Sequence, residues 1–317
     1  MLVALNVRAQ TDAPVRLALM TESEEAAPAA DVLTAQLSRN PDIQLLERNE
    51  IDKVYREQGL SAANRDYLKL GRLLAADGLL LLNVVRTPQT TNLTARLVAV
   101  KPGVVLADEG FSWPLAQMNE WSASFAERLG WLLPKLTVLA KDAIPISVVN
   151  LRSAISSAEA QETERQLKLL VIQRLSQERQ LFVLERQRMQ LLSEEKELKS
   201  DESAFWDGSY LLEGVVDQNG YSKETVTVNA RLTPPKGRAP LLFEISGSRT
   251  NLAEVINRLA TKVTELLKVN STVTEWNAAD EAQQYFEEAK WALRWGLYSE
   301  AQAAADSAWA LGKHDLD

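Results

Sequence analysis

The chain has 317 residues, 46% of them apolar and 25% charged, a globular balance with enough apolar material for two separate cores. Its net charge is −8 and its basic residues occur in no more than short pairs, which argues against a nucleic-acid groove or an anionic lipid surface. There is no cysteine and one histidine, His314, so disulfides, thiolate metal sites, cysteine nucleophiles and the common nucleophile–base pairs are excluded, and no cofactor is expected.

In chain order, residues 1–9 read as the tail of a secretory signal. Leu2, Val3, Ala4, Leu5 and Val7 form an apolar run, and Val7-Arg8-Ala9 puts branched or small residues at −3 and −1 of a cut after Ala9. No other stretch approaches a membrane-spanning helix, so no integral membrane segment is expected. Residues 10–142 then read as a first α/β domain. A strand at 15–20 precedes a helix carrying Val32, Leu33 and Leu37, and Asn40-Pro41-Asp42 breaks that helix before a strand at 43. A second helix ends near Gly59, which stands where a C-cap needs a left-handed residue. Asp77-Gly78 leads into a strand at 79–85, Ala95-Arg96-Leu97 lies in the next, a third covers 104–113, and one long helix is predicted over 116–136.

The same order returns in residues 143–270. Residues 43–60, IQLLERNEIDKVYREQGL, match residues 181–198, LFVLERQRMQLLSEEKEL, with Leu46-Glu47-Arg48 against Leu184-Glu185-Arg186 at an offset of 184 − 46 = 138. Residues 15–20 match 146–151, and Asp77-Gly78 matches Asp207-Gly208. Ala95-Arg96-Leu97 has its counterpart in Ala230-Arg231-Leu232, and Asn251 with Glu254 three residues later is an N-cap signature for the closing helix. The Glu-, Gln- and Arg-rich stretch 159–202 taken alone reads as a coiled coil; its counterpart assigns a strand at 181–185 instead. The expected fold class is therefore α/β: two tandem homologous mixed-sheet domains followed by an all-α hairpin.

The run at 45–60, followed by Leu70-Gly71 and by Ala76-Asp77-Gly78-Leu79-Leu80-Leu81, resembles the CsgG-like family of curli secretion channels in its periplasmic α/β domain, which is related to the amino-terminal domain of TolB. The resemblance covers residues 15 to about 140 and, more loosely, 146–268. It implies the soluble domain without the pore. Channel hairpins need strands of roughly nine to eleven residues, whereas only residues 86–91 and 217–224 lie between the third and fourth strands. The family-motif residues Glu47, Arg48, Gly59, Asp77, Gly78, Glu185, Arg186, Asp207 and Gly208 are read as structural. Strand-end ion pairs or caps account for the Glu-Arg pairs, and Asx-turn chemistry accounts for the Asp-Gly pairs.

From 275 to 313 the composition turns to Ala, Glu and Trp. Ala282, Tyr285, Phe286, Ala289, Ala292 and Leu293 form one stripe, Gly296 a turn, and Ala304, Ala305, Ala308 and Leu311 a second helix, the pattern of one tetratricopeptide-like hairpin. Trp291, Trp295, Tyr298 and Trp309 are the candidate partner-binding residues, since aromatic anchors are common at interfaces; the competing reading has them glue the hairpin to the preceding domain. With no phosphate loop, nucleophile elbow or metal-protease helix, the chain is expected not to be an enzyme. The leading expectation is a periplasmic adaptor or scaffold whose partners are other envelope proteins or a second copy of the chain. A module binding a small molecule or glycan in an interdomain cleft is the alternative; a carboxylate-only hydrolase and a pore stand behind it.

Overall fold

The computed structural model describes residues 13–47, 51, 67–86, 90–184, 208–269 and 277–314, in two compact units, Met1–Thr137 and Val138–Asp317. In the first unit β1 (Val15–Thr21) buries Leu17, Ala18 and Leu19 on both faces, as an inner strand covered on two sides must. A turn of 3₁₀ helix leads into α1 (Ala27–Leu37), which starts with Pro28 in its first turn and buries Ala29, Ala30, Leu33 and Leu37 on one stripe. Asn40 ends the turn that follows, its side chain accepting from the Asp42 N–H at 2.9 Å, and β2 (Ile43–Leu45) begins as the Asn-Pro-Asp break predicts. After α2 (Tyr67–Leu73) come β3 (Gly78–Arg86), β4 (Thr91–Ala99) and β5 (Val104–Ser112). The sheet order is β2-β1-β3-β4-β5, parallel through β2, β1 and β3 and antiparallel beyond.

The single helix predicted over 116–136 is two: α3 (Met118–Gly130) and α4 (Leu133–Leu136). Pro134 is the reason, because it lacks an N–H and its ring would clash with the preceding turn of a continuous helix. The core under α3 is aromatic: Trp121 stacks on Phe125 at 5.4 Å, and Phe111 of β5 meets both rings edge-on at 5.6 Å.

The second unit has β6 (Ile144–Ser153), α5 (Ala158–Ser176), β7 (Leu181–Leu184), β8 (Tyr210–Val216), β9 (Thr225–Thr233), β10 (Leu241–Ser248) and α6 (Leu252–Leu267). Its sheet runs β7-β6-β8-β9-β10 with the same parallel and antiparallel senses as the first. The helix starting at the Ser157 cap ends at Ser176 and a strand follows, so this stretch is not a coiled coil within the described residues. Asn251 caps α6 by accepting from the Glu254 N–H at 3.3 Å, as its spacing predicts.

The hydrogen-bond register corrects the internal alignment. Val15 pairs with Ile43 as Ile144 pairs with Leu181, and Leu17 pairs with Gly78 as Ile146 pairs with Tyr210. Val15 therefore corresponds to Ile144 and Gly78 to Tyr210, two residues from the sequence matches at Ile146 and Gly208. A two-residue slip leaves every side chain on its own face, so alternation alone does not detect it. The Ala-Arg-Leu match stands: Leu97 pairs with Leu80 as Leu232 pairs with Leu212.

Two helices complete the second unit, α7 (Ala278–Arg294) and α8 (Tyr298–Ala310), and their buried residues Ala282, Tyr285, Ala308 and Leu311 belong to the same core cluster as β6, α5 and α6.

Candidate functional site

Among the family-motif residues, Asp77 has a structural task that the geometry makes explicit. Its Oδ2 accepts from the Arg16 N–H at 2.9 Å, and its Oδ1 lies 2.7 Å from Lys101 Nζ. The Arg16 guanidinium donates in turn to the Leu74 carbonyl at 3.1 Å, so β1, the end of α2 and the β4–β5 turn are tied at one point. In the second unit Pro145 occupies the place of Arg16, pairing with Phe182 as Arg16 pairs with Gln44. Proline has no N–H to offer, and the residue matching Asp77 is Ser209. Gly78 lies in close approach to α4: a Cβ there would be 2.9 Å from Leu136 Cδ1, so the Leu136 side chain would have to shift. Gly208 sits in the turn before β8, and Glu47 is exposed after β2. Arg48, Gly59, Glu185, Arg186 and Asp207 lie outside the described residues, as do the signal-like residues 1–9. Glu47 and Asp31 share the wall of a shallow cleft of about 420 Å³ with Leu19, Thr34, Ser38, Leu45 and Leu46.

The connections between the third and fourth strands of each sheet are short and, in the second unit, pinned. β3 and β4 stay paired up to Arg86 and Thr91. Between β8 and β9, Asp217 (φ 55°) and Gly220 (φ 116°) turn the chain in left-handed conformations. Arg249, just after β10, holds this connection. Its Nη2 donates to Asp217 Oδ2 at 2.6 Å and to the Thr225 carbonyl at 2.9 Å, its Nε donates to the Ser222 carbonyl at 2.7 Å, and its guanidinium lies 4.4 Å over the Tyr221 ring. Both members of the ion pair are buried, so the guanidinium is fully engaged as a clamp. Sequence reading missed Arg249 because its partners lie 24 to 32 residues away.

The hairpin is the candidate site. Asn277 caps α7, its side chain accepting from the Ala279 N–H at 3.0 Å, and acidic Asp280 and Glu281 occupy the first turn, where the helix dipole favours them. Gly296 (φ 77°) makes the left-handed turn into α8. Ala292, Ala301, Ala304 and Ala308 are buried, small side chains that let the two helices approach closely. Polar contacts fasten the pair to α5 and the residue after it: Ser307 Oγ donates to Gln173 Oε1 at 2.7 Å, Arg165 meets Asp306 at 2.5 Å, and Gln177 Nε2 donates to Glu281 Oε1 at 2.9 Å. Tyr285 also donates to Glu281 Oε1, at 2.7 Å. Burial and the neighbouring Glu281 charge push the Tyr285 hydroxyl well above the ordinary tyrosine range.

The four aromatic candidates divide. Trp295 is the buried C-cap of α7, enclosed within the hairpin with Arg294 over its ring, and Trp291 is half-buried. Tyr298 is 72% exposed and Trp309 51%, and with Gln302 and Ala305 they form a single outward stripe along α8. His314 stacks on Trp309 at 4.3 Å. Leu293, placed by its spacing on the inner stripe, is 61% exposed instead, because the helix ends within a turn of it and the inner face there is taken by Ala292 and Trp295. No helix among the described residues is long and apolar enough to cross a membrane, and they include no cluster of acidic or histidine side chains suited to a metal ion.

No protein-family model matches the chain and no curated protein matches it. Partial likenesses to solved structures exist. The LpoB C-terminal domain from Salmonella enterica is 18% identical with a TM-score of 0.26, over 31% of this chain and 81% of that one. TolB from Acinetobacter baumannii is 13% identical at 0.29, over 38% of this chain and 28% of that one. A lipoprotein from Neisseria meningitidis is 17% identical at 0.28, over 37% of this chain and 97% of that one.

Proposed function

We propose that the chain is a non-enzymatic adaptor of the bacterial cell envelope, which binds another envelope protein through the outer stripe of α8. The carrying observation is the contrast along one helix. Its inner face is buried at Ala304, Ser307, Ala308 and Leu311, the last two within the second unit's core, while Tyr298 and Trp309 are exposed. Large aromatic side chains held on a rigid, docked helix lose little entropy on binding, which suits them as interface anchors. The signal-like start at residues 1–9 supports an extracytoplasmic, periplasmic location. Kinship with the soluble domain of the curli channel family, without its pore, is part of the same reading, supported by the motif at 45–60 and by connections of four residues after Arg86 and eight after Val216.

The test is a pair of charge substitutions on the stripe, Tyr298→Glu with Trp309→Glu. Both positions are on the surface, so stability is expected to change by less than about 1 kcal/mol. Native electrophoresis of gently solubilised envelopes should show the chain in a larger complex that the double variant loses; a complex retained by the well-folded variant would refute the stripe as its anchor.

A further inference from the structure

We propose that β10 is a self-association edge, and that two copies of the chain pair their β10 strands antiparallel about Phe243 to join two sheets into one. The edge is open by geometry. Arg249 donates its N–H to the Glu224 carbonyl at 2.9 Å, which fixes odd-numbered residues as those facing β9. Leu242, Glu244 and Ser246 therefore turn both N–H and C=O outward, since the two groups of one residue point the same way in an antiparallel strand. The Ser246 carbonyl does face outward, because it accepts from Arg258 Nη1 of α6 at 3.1 Å. No strand among the described residues pairs with this side of β10.

The first unit shows what a protected edge looks like in the same fold. Its edge strand β5 has a register irregularity against β4, carries Asp108 and Glu109, and buries Glu109 in an ion pair with Arg128 at 2.8 Å. Bulges and charges of this kind block strand addition. β10 runs opposite β9 without any shift, its only charge is Glu244, and it leaves Leu241 38% and Leu242 77% exposed.

A second copy fits this edge in a register centred on Phe243, where outward-facing residues meet outward-facing ones. Centred on Phe243, the pairing sets Phe243 against itself and Leu241 against Ile245 on the helix-facing side, so each apolar side chain meets an apolar one. On the open face Leu242 meets Glu244 of the second copy. That rung runs from Glu213, 3.8 Å from Arg231, through Arg231 and Leu242 to the incoming Glu244. Centring on Glu244 instead would oppose two carboxylates. In the favoured register Ser246 faces Pro240, which has no N–H to give; the Ser246 carbonyl already has its donor in Arg258.

Light scattering coupled to size-exclusion chromatography on the full chain should give a mass rising to twice that of one chain with concentration. Glu244→Pro, which removes an outward N–H and leaves the β9 ladder whole, should return the mass to one chain with unchanged circular dichroism. Leu242→Glu, a surface change that sets a second carboxylate opposite Glu244 of the other copy, should do the same and guards against misfolding of the proline variant. Because the chain has no cysteine, Phe243→Cys should oxidise to a covalent dimer, its Cα atoms being about 4.5 Å apart in a non-hydrogen-bonded pair. A monomer throughout the concentration series, a dimer that survives both edge substitutions, or a dimer in which Phe243→Cys does not cross-link would each overturn the proposal.

Discussion

At the scale of single residues, Arg249 and Asp77 use their charges to fix backbone. Arg249 bonds Asp217, Ser222 and Thr225 at once, and the Asp217 side chain is almost fully enclosed. Removing one member of a buried pair leaves the other charge without its counterion, so Arg249→Ala should cost about 3–5 kcal/mol, read as a lower urea midpoint with little change in slope. Tyr285 gives a pH signature. Its folded pKa lies above the unfolded value, first through burial and then through the Glu281 charge. The stability it contributes is therefore complete below the unfolded pKa of about 10 and falls as pH rises beyond it. Melting temperature should decline above pH ~10 less steeply in Tyr285→Phe than in the native chain; parallel declines would mean that Tyr285 ionisation is not coupled to folding. These roles were only partly legible in the sequence. Asp77 before Gly78 marks a turn, but that its carboxylate would reach the Arg16 N–H, 61 residues away, depends on which strands become neighbours.

At the scale of elements, local chemistry and tertiary packing divide the account. The Asn40-Pro41-Asp42 break and the Asn251 cap follow from short-range rules and stand where those rules put them. Pro134 obeys a rule as local, and splits a helix whose apolar spacing alone runs through it. The faces of α7 and α8 were harder to read, because spacing groups residues into stripes without saying which stripe is covered. Trp295 is buried and Tyr298 is bare, while Gln173, Arg165 and Gln177, more than a hundred residues earlier, fasten the pair through Ser307, Asp306 and Glu281. The hairpin is consequently part of the second unit's core. A chain ending at Lys268 loses Tyr285, Ala308 and Leu311 from that core, and should be destabilised by at least about 3 kcal/mol, the scale of truncating one large buried side chain, with binding of a hydrophobic dye. A truncated chain as stable as the native one would show that the helices are merely appended.

At the scale of the whole molecule, one strand order used twice has diverged at its margins. The first sheet closes its edge with a bulge and a buried ion pair at Glu109, and the second leaves β10 regular and partly apolar. Among the described residues, only the second unit carries a carboxyl-terminal helical hairpin. An adaptor that dimerises through β10 would offer two α8 stripes at once, and a partner with two sites would bind it more tightly than either stripe alone. The claim on which this account turns is that α8 faces a protein partner, and site-specific photo-cross-linking in the cell envelope tests it most directly. Cross-linkers placed singly at Tyr298, Gln302, Ala305 and Trp309 should yield one discrete adduct, absent from the control positions Gln283 and Glu287 on exposed α7. Adducts equally frequent at both sets, or at neither, would contradict it.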